Sequence, residues 1–218
     1  MTNDQVTNRP TGQTTKVDFL LAGVGGQGTI LASDVLAAVG LHVGYDVKKS
    51  EVHGMAQRGG SVTTHVRWGS KVYSPLIGLG EADFFLAFEK LEALRHIEML
   101  RPGGVVLVNE YTISPLSVSS GSDEYPGDER LRAILSSVTP NYYLVPATTL
   151  AERLGHARVN NVVLLGFLSH FFPDIPLEIW LEAIRERVPP RFADLNQKAF
   201  LVGREAMKSD EQAAISTK

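Results

Sequence analysis

The sequence predicts an α/β fold: a doubly wound, mainly parallel sheet with helices on both faces, plus a β-hairpin and C-terminal helices. Short apolar runs alternate with stretches of helical periodicity, and a glycine-rich turn joins the first apolar run to the first helical stretch. At 218 residues, with 44% apolar and 21% charged residues, the chain has the size and composition of one globular domain. We expect that domain over residues 16–208, with disordered tails at 1–15 and 209–218, where little can be buried.

The first unit, residues 17–40, predicts a strand, a glycine turn and a helix. An apolar run at 17–22 suits a buried parallel strand, and residues 29–39 suit a helix. The turn matches Gly-x-Gly-x-x-Gly, in which glycines permit a tight turn and a close approach of ligand and helix. The helix start presents unpaired N–H groups, so we expect an anion there; a tight β–α turn without a ligand is the alternative. The candidate binding residues are Gly23, Gly25, Gly26, Gln27, Gly28 and Thr29.

A second candidate site lies in the polar segment 50–61. It combines a carboxylate, an imidazole, an amide, a guanidinium and three glycines with little apolar periodicity, which is typical of a loop. Loops on a rigid α/β scaffold often carry binding groups, although a solvated surface connection is the alternative. A guanidinium offers a fork for phosphate or carboxylate. The candidates are Glu51 and His53 for catalysis and Gln57, Arg58 and Gly59 for cofactor binding.

The remaining chain continues the alternation of strands and helices. Residues 62–68, a Gly-Ser turn and residues 71–74 predict the β-hairpin. Further strands are predicted at 83–88, 105–109 and 142–145. Helices are predicted at 91–100, 128–137, 147–154, 160–168, 177–188 and 191–208. We expect Asn160 to cap the almost wholly apolar helix that it begins.

Composition and motifs exclude several chemistries. A net charge of −3 gives no general attraction to nucleic acid or membranes, and the absence of cysteine excludes disulfides and thiolate-bound clusters. The six histidines lack metal-ligand spacing, so we expect no metal site. There is no nucleophile elbow, and Thr29 stands where a Walker motif needs lysine. With no signal peptide and no long apolar run, we expect a soluble cytoplasmic protein.

Dinucleotide binding would need an acidic residue about 20 residues beyond the glycine turn. Asp46 is the candidate at that distance, but a polar run follows it rather than a strand end. An NAD-dependent oxidoreductase is therefore an alternative interpretation that depends on Asp46 as the ribose-binding acid.

Three segments stand out together: GVGGQG at 23–28, EVHGMAQRGGSV at 51–62 and NNVVLLG at 160–166. They resemble the gamma-type subunit of the 2-oxoacid:ferredoxin oxidoreductases, in particular the beta subunit of indolepyruvate:ferredoxin oxidoreductase. The likeness covers about residues 16–206, and the loop signature is its most specific part.

The resemblance implies a subunit, inactive alone, of an enzyme that oxidatively decarboxylates an aryl 2-oxoacid such as indole-3-pyruvate. Such an enzyme uses coenzyme A as co-substrate, forms an acyl-CoA and passes electrons to ferredoxin. Thiamine diphosphate, magnesium and iron–sulfur clusters are implied on a larger partner subunit and none on this chain. In relatives the gamma-type domain helps form the cleft that faces coenzyme A, which fits residues 25–29 and Arg58.

Two further expectations complete this interpretation. The alternative function is a stand-alone nucleotide- or anion-binding regulatory module of the same fold. Without its partner the chain could bury its apolar helices against a second copy, which would give a homodimer.

Overall fold

A computed structural model describes residues 16–53 and 60–216; for His53 and residues 208–216 the backbone alone is described. The strands are β1 (Lys16–Val24), β2 (Asp46–His53), β3 (Ser61–Gly69), β4 (Ala82–Ala87), β5 (Leu100–Asn109) and β6 (Tyr142–Val145). The helices are α1 (Thr29–His42), α2 (Lys90–His96), α3 (Leu116–Ser119), α4 (Asp128–Val138), α5 (Ala147–Arg153), α6 (Asn160–Ser169), α7 (Leu177–Arg187) and α8 (Ala193–Ser216).

The described strands form one six-stranded mixed sheet in the order β2-β3-β1-β4-β5-β6. Strands β1, β4, β5 and β6 are parallel neighbours, and β3 runs antiparallel to both β1 and β2. The chain leaves β1 toward one edge of the sheet through α1 and leaves β4 toward the other edge through α2. The carboxyl ends of β1 and β4 therefore meet at a topological switch point, where open α/β sheets form a ligand crevice.

Both faces of the sheet are covered by helices, which confirms the predicted fold class. Because side chains alternate along a strand, Phe19 faces one layer and Leu20 the other. Helices α1 and α5–α8 cover the face of Phe19, where Trp68 and Phe172 pack around its ring. Helices α2 and α4 cover the face of Leu20.

Helix α6 lies at the centre of the thicker layer, and all ten of its residues are buried. Its closest neighbour is α8, and two glycines allow their backbones to approach. A Cβ on Gly166 would lie 2.0 Å from the carbonyl oxygen of Phe200, and one on Gly203 would lie 1.9 Å from that of Val163. Gly166 and Gly203 thus form a glycine seam, where the backbones of the apolar helix α6 and of α8 pack directly against each other.

The predicted hairpin at 62–74 is wrong. Strand β3 pairs instead with β2 over eight positions, from Asp46 opposite Gly69 to His53 opposite Val62, and with β1 on its other side. Residues 71–74 form no strand, because side chains hold the chain there. Arg67 donates to the carbonyl oxygens of Ser74 and Leu76 at 3.2 and 2.6 Å, and Tyr73 is 90% exposed.

Two helix ends also differ from the predictions. Helix α2 ends at His96 rather than at residue 100, a short 3-10 turn follows, and β5 begins at Leu100, five residues before the predicted start of that strand at 105. Helix α8 continues to Ser216, past the predicted end at 208, so the predicted tail from 209 is helical as far as Ser216. Residues 1–15 and 217–218, also predicted as tails, lie outside the described residues.

The glycine seam predicts a large cost for one methyl group. In Gly203→Ala the Cβ meets rigid backbone, so we expect the free energy of unfolding to fall by about 3 kcal/mol or more. Urea unfolding of the full chain measures this. Gly127→Ala is the control, because a Cβ there meets nothing within 4 Å, and it should stay within about 1 kcal/mol of the wild type. If the two variants unfold at the same urea concentration, close backbone packing at Gly203 does not stabilise the fold.

Candidate functional site

Gln27 fixes the glycine turn to the end of β4. Its Oε1 accepts a hydrogen bond from the Val24 N–H at 2.7 Å, and its Nε2 donates to the Phe88 carbonyl oxygen at 2.9 Å. The turn also needs the left-handed backbone that glycine adopts freely, with φ of +104° at Gly26 and +80° at Gly28. Gln27 was predicted to bind a ligand, but its side-chain amide is engaged within the protein.

Gly28 faces α6 rather than open space. The Nδ2 of Asn161 donates to the Gly28 carbonyl oxygen at 3.0 Å, and a Cβ on Gly28 would lie 2.4 Å from that nitrogen. The expectation that Asn160 caps α6 is wrong, since Val159 occupies the cap position and makes no side-chain cap bond. The Asn161 side chain instead bonds to Gly28, in the turn after β1, and the Asn160 side chain lies near Thr148, in the helix after β6.

Two other candidates pack inside the turn. Thr29 is 5% exposed, and its Cγ2 lies 3.0 Å from where a Cβ on Gly23 would stand. Gly23, Gly28 and Thr29 therefore hold the strand and helix together, while Gly25 and Gly26 face the cleft described below.

Asn109 organises the opposite wall at the end of β5. Its Nδ2 donates to the Phe88 carbonyl oxygen at 3.1 Å and to Thr148 Oγ1 at 2.9 Å, and its Oδ1 accepts from the Thr148 N–H at 3.1 Å. Because Asn109 is 1% exposed, these bonds replace the water that its amide loses on folding.

Glu89 holds the next part of that wall and is 1% exposed. Its carboxylate accepts from the N–H groups of Leu91 and Glu92 at the start of α2, from the Ile113 N–H at 3.0 Å, and from the Tyr125 hydroxyl. Burial and this bond to Glu89 raise the pKa of Tyr125 well above its ordinary value, so the hydroxyl remains a donor. The segment that carries Tyr111 and Ile113 is thereby fixed beside the turn.

Between these walls lies an open cleft of about 310 Å³. Its lining includes Gly25 and Gly26 from the turn and Tyr111 from the segment after β5. It also includes Arg158, just before α6, and Asn160, the first residue of α6. Arg158 is exposed and has no hydrogen bond or ion pair with another described residue. The arrangement provides one cation and several polar groups, which suits an anionic ligand.

Asn160 is an unusual member of the lining. It is 8% exposed, yet its Oδ1 has no hydrogen-bond partner among the described residues, and its Nδ2 lies 3.4 Å from Thr148 Oγ1. Buried amides are normally satisfied, so this buried oxygen is an exception within the cleft wall.

The second predicted segment reaches the same edge of the sheet. Val24 pairs with Ser61, and the Gly25 N–H donates to the Gly60 carbonyl oxygen at 2.9 Å, so the glycine turn adjoins the flank of the loop. His53, at the end of β2, pairs with Val62, which pairs in turn with Gly23. The side chain of His53 and the candidates Gln57, Arg58 and Gly59 lie outside the described residues.

Glu51 is engaged in an ion pair. Lys49 Nζ lies 2.8 Å from Glu51 Oε1 and 2.6 Å from Asp34 Oδ1. Burial lowers the pKa of Lys49, but the bonds to the two carboxylates outweigh it and raise the pKa. The Lys49–Asp34 pair joins β2 to α1, and Glu51 pairs with the same lysine from within β2.

Asp46 stands at the wrong end of the sheet for a ribose. It pairs with Gly69, which pairs with Lys16 at the start of β1, whereas the glycine turn follows the end of β1. Its carboxylate accepts from Lys48 Nζ at 2.5 Å and from the Val72 N–H at 2.9 Å, and these bonds lower its pKa. The interpretation of Asp46 as a dinucleotide-binding acid is therefore wrong.

A buried polar cluster anchors the loop's carboxyl flank. Ser61 Oγ donates to Glu92 Oε2 at 2.5 Å and lies 3.1 Å from His96 Nε2, and Arg95 donates to Glu92 Oε1 at 2.5 Å. Glu92 is 0% exposed. Burial raises the pKa of Glu92, but the bonds from His96, Ser61 and Arg95 outweigh it, so the pKa is lowered.

The sequence did not reveal these residues as part of one site. Arg158, Thr148 and Asn109 come from separate elements with no local motif, and Glu89 and Glu92 sit in an ordinary helix start. The available signal was polar residues placed directly after apolar strands, as at Asn109. Among the side chains that the structure describes, at residues 16–52 and 60–207, no group of three or more potential metal ligands lies together. None of the helices described here combines the length and apolarity that crossing a membrane requires.

Fold and site together define an α/β domain with an anion-suited cleft at the switch point of a mixed sheet. The chain belongs to the pyruvate ferredoxin/flavodoxin oxidoreductase family, whose model matches residues 18–206.

Known relatives agree with this assignment. The chain is 42% identical over 194 residues to the indolepyruvate oxidoreductase subunit IorB of Pyrococcus horikoshii, covering 88% of this chain and 96% of the relative. It is 38% identical over 201 residues to the subunit IorB of Archaeoglobus fulgidus, covering 92% and 100%. The crystal structure of a keto/oxoacid ferredoxin oxidoreductase gamma subunit from Geobacter sulfurreducens superposes with a TM-score of 0.64 at 25% identity, covering 88% and 99%.

The Glu92 cluster predicts a specific pH dependence. Because the folded-state pKa of Glu92 lies below its ordinary value of 4.5, its stabilisation is complete above pH 4.5 and is lost as the pH falls through the folded-state pKa. Glu92→Gln should lower the free energy of unfolding at pH 7 by about 2 kcal/mol and reduce its fall below pH 4.5. Urea unfolding across pH 3–7 measures both effects.

Glu98→Gln is the matched control, because Glu98 is exposed and lies two residues beyond α2. It should keep the wild-type pH dependence. Parallel stability curves for Glu92→Gln and the wild type would show that the cluster carries no linkage.

Proposed function

We propose that this chain is the small subunit of an indolepyruvate-type 2-oxoacid:ferredoxin oxidoreductase and that its cleft forms one wall of the site for coenzyme A. In that reaction an aryl 2-oxoacid and coenzyme A give an acyl-CoA and carbon dioxide, and two electrons pass to ferredoxin. The observation that carries the proposal is the unpaired guanidinium of Arg158 beside the unsatisfied amide of Asn160, in a cleft at the switch point.

The chemistry of the cleft suits part of a coenzyme A molecule. A guanidinium fork pairs with phosphate oxygens, such as those of the coenzyme A phosphates. A cleft of about 310 Å³ lies at the lower end of the range for small-molecule sites, so it would hold a portion of the ligand. The rest would lie against a neighbouring subunit.

The redox and carbanion chemistry is assigned to a larger partner. These 218 residues include no cysteine, so thiolate ligands for iron–sulfur clusters must come from elsewhere. We propose that the partner also holds thiamine diphosphate and magnesium and that the complex works in the cytoplasm. Without the partner, we propose that this chain forms a homodimer. A stand-alone regulatory module is not favoured, because the matched relatives are oxidoreductase subunits over almost their full length.

Arg158→Ala tests the cleft. In the complex reconstituted with the larger subunit, we expect the KM for coenzyme A to rise about 10-fold or more, because a charge-assisted bond to phosphate is lost. The KM for the 2-oxoacid should change less than about twofold. Arg153→Ala, an exposed arginine at the end of α5, is the control and should leave both constants unchanged. An unchanged KM for coenzyme A in Arg158→Ala would remove the cleft from the proposal.

Arg58→Ala tests the loop in the same assay. On the sequence-based hypothesis Arg58 binds an anionic part of coenzyme A or of the 2-oxoacid, so at least one KM should rise about 10-fold. If the kinetics for both substrates stay at wild-type values, Arg58 has no part in binding.

A further inference from the structure

A second cavity adjoins the cleft and shares one residue with it. It has a volume of about 200 Å³ and lies between α1, the segment before α6, and the turn that leads into α8. Most of its lining is apolar: Leu31, Val159, Val188, Pro189, Phe192 and Leu195. Its polar members are His156, Asn196 and Arg158, and Arg158 also lines the cleft.

The polar groups of this cavity differ in whether they already have hydrogen-bond partners. The side chain of Asn196 is engaged, because its Nδ2 donates to the Phe192 carbonyl oxygen at 2.9 Å. The Nδ1 of His156 is buried and has no hydrogen-bond partner among the described residues, although its ring meets the Phe192 ring edge-on at 6.4 Å. Arg158 likewise has no partner within the described chain. Because His156 Nδ1 is sealed from solvent, the exposed guanidinium of Arg158 is the polar group of this cavity that remains open to a ligand.

Size and shape restrict the ligand. An apolar cavity of about 150 Å³ is enough to bind benzene, so about 200 Å³ accommodates one aromatic ring or a small fused ring system. The Phe192 ring supplies an aromatic wall, which favours an aromatic guest over an aliphatic one of similar volume. A guanidinium at the boundary favours a carboxylate on that guest.

We infer that this cavity is a binding site for a small aromatic carboxylate, with the ring among the apolar side chains and the carboxylate at Arg158. Because Arg158 serves both cavities, an anion bound in the cleft and an aromatic carboxylate bound here compete for one guanidinium. Occupation of either site weakens binding at the other, and linkage requires the two effects to be equal.

The first experiment is calorimetric titration of the full chain with indole-3-acetate, a stable aromatic carboxylate. We expect saturable 1:1 binding, about 10-fold weaker binding of the neutral analogue indole-3-acetamide, and an equal loss of indole-3-acetate affinity in Arg158→Ala. Arg153→Ala should bind as the wild type does. Failure of indole-3-acetate to saturate the wild type, or equal affinity for acid and amide, overturns the inference.

A second experiment locates the ligand. Leu195→Trp places a larger side chain in the cavity and leaves Arg158 in the chain, so it should abolish binding of indole-3-acetate while inorganic pyrophosphate still binds the cleft. Leu31→Phe serves the same purpose if the first variant fails to fold, as judged by thermal unfolding. Binding that persists in a folded, filled variant overturns the inference.

A third experiment tests the coupling. Saturating pyrophosphate should weaken indole-3-acetate binding, and saturating indole-3-acetate should weaken pyrophosphate binding by the same factor. Independent binding of the two probes excludes a shared Arg158. These measurements need no partner subunit, so their outcome is separate from that of the kinetic tests of the proposed function.

Discussion

The hydrogen bonds on the Phe88 carbonyl oxygen are the constraint on which the site depends. Strands β1 and β4 part at the switch point, so the polar main-chain groups just beyond them have no ladder partner and would be buried unpaired. Side-chain amides from both sides supply the bonds: Gln27 from the glycine turn and Asn109 from the end of β5. Asn161 does the same for the carbonyl of Gly28. Three short amides thus fix the cleft walls relative to one another.

Against this background of satisfied polar groups, the unsatisfied ones are informative. Glu89 accepts four hydrogen bonds and Asn109 takes part in three, which gives the walls little freedom. Four buried side-chain atoms have no partner among the described residues. Two of them, the indole nitrogens of Trp68 and Trp180, lie in the apolar core. The other two, His156 Nδ1 and Asn160 Oδ1, belong to the residues that flank Arg158 by two positions on either side, and both residues line its cavities.

The sequence predicts the layers of this fold well because its central strands and buried helices carry strong apolar patterns. It fails at β2, whose sequence is mostly polar, because Lys49 forms ion pairs with Asp34 and Glu51 that only the folded chain reveals. The hairpin prediction fails for a similar reason. The local Gly-Ser turn suggested that β3 pairs with the residues after it, but β3 pairs with β2, the strand before it, over eight positions. The site is less predictable still, since the sheet topology alone brings Arg158 beside a turn more than 130 residues earlier.

The glycine motif has a different meaning here from the one its spacing suggests. Gly28 is required by its positive φ and by the Asn161 nitrogen above it, and Gly23 by the side chains of Thr29, Gln27 and Phe88 around it. Packing therefore explains two of the three motif glycines without any ligand. Gly25 alone of the three borders the cleft, and its N–H already bonds to Gly60. Charge recognition on the described residues thus rests on Arg158, before α6, and the glycine turn serves mainly to bring β1, α1 and the flank of the loop up to it.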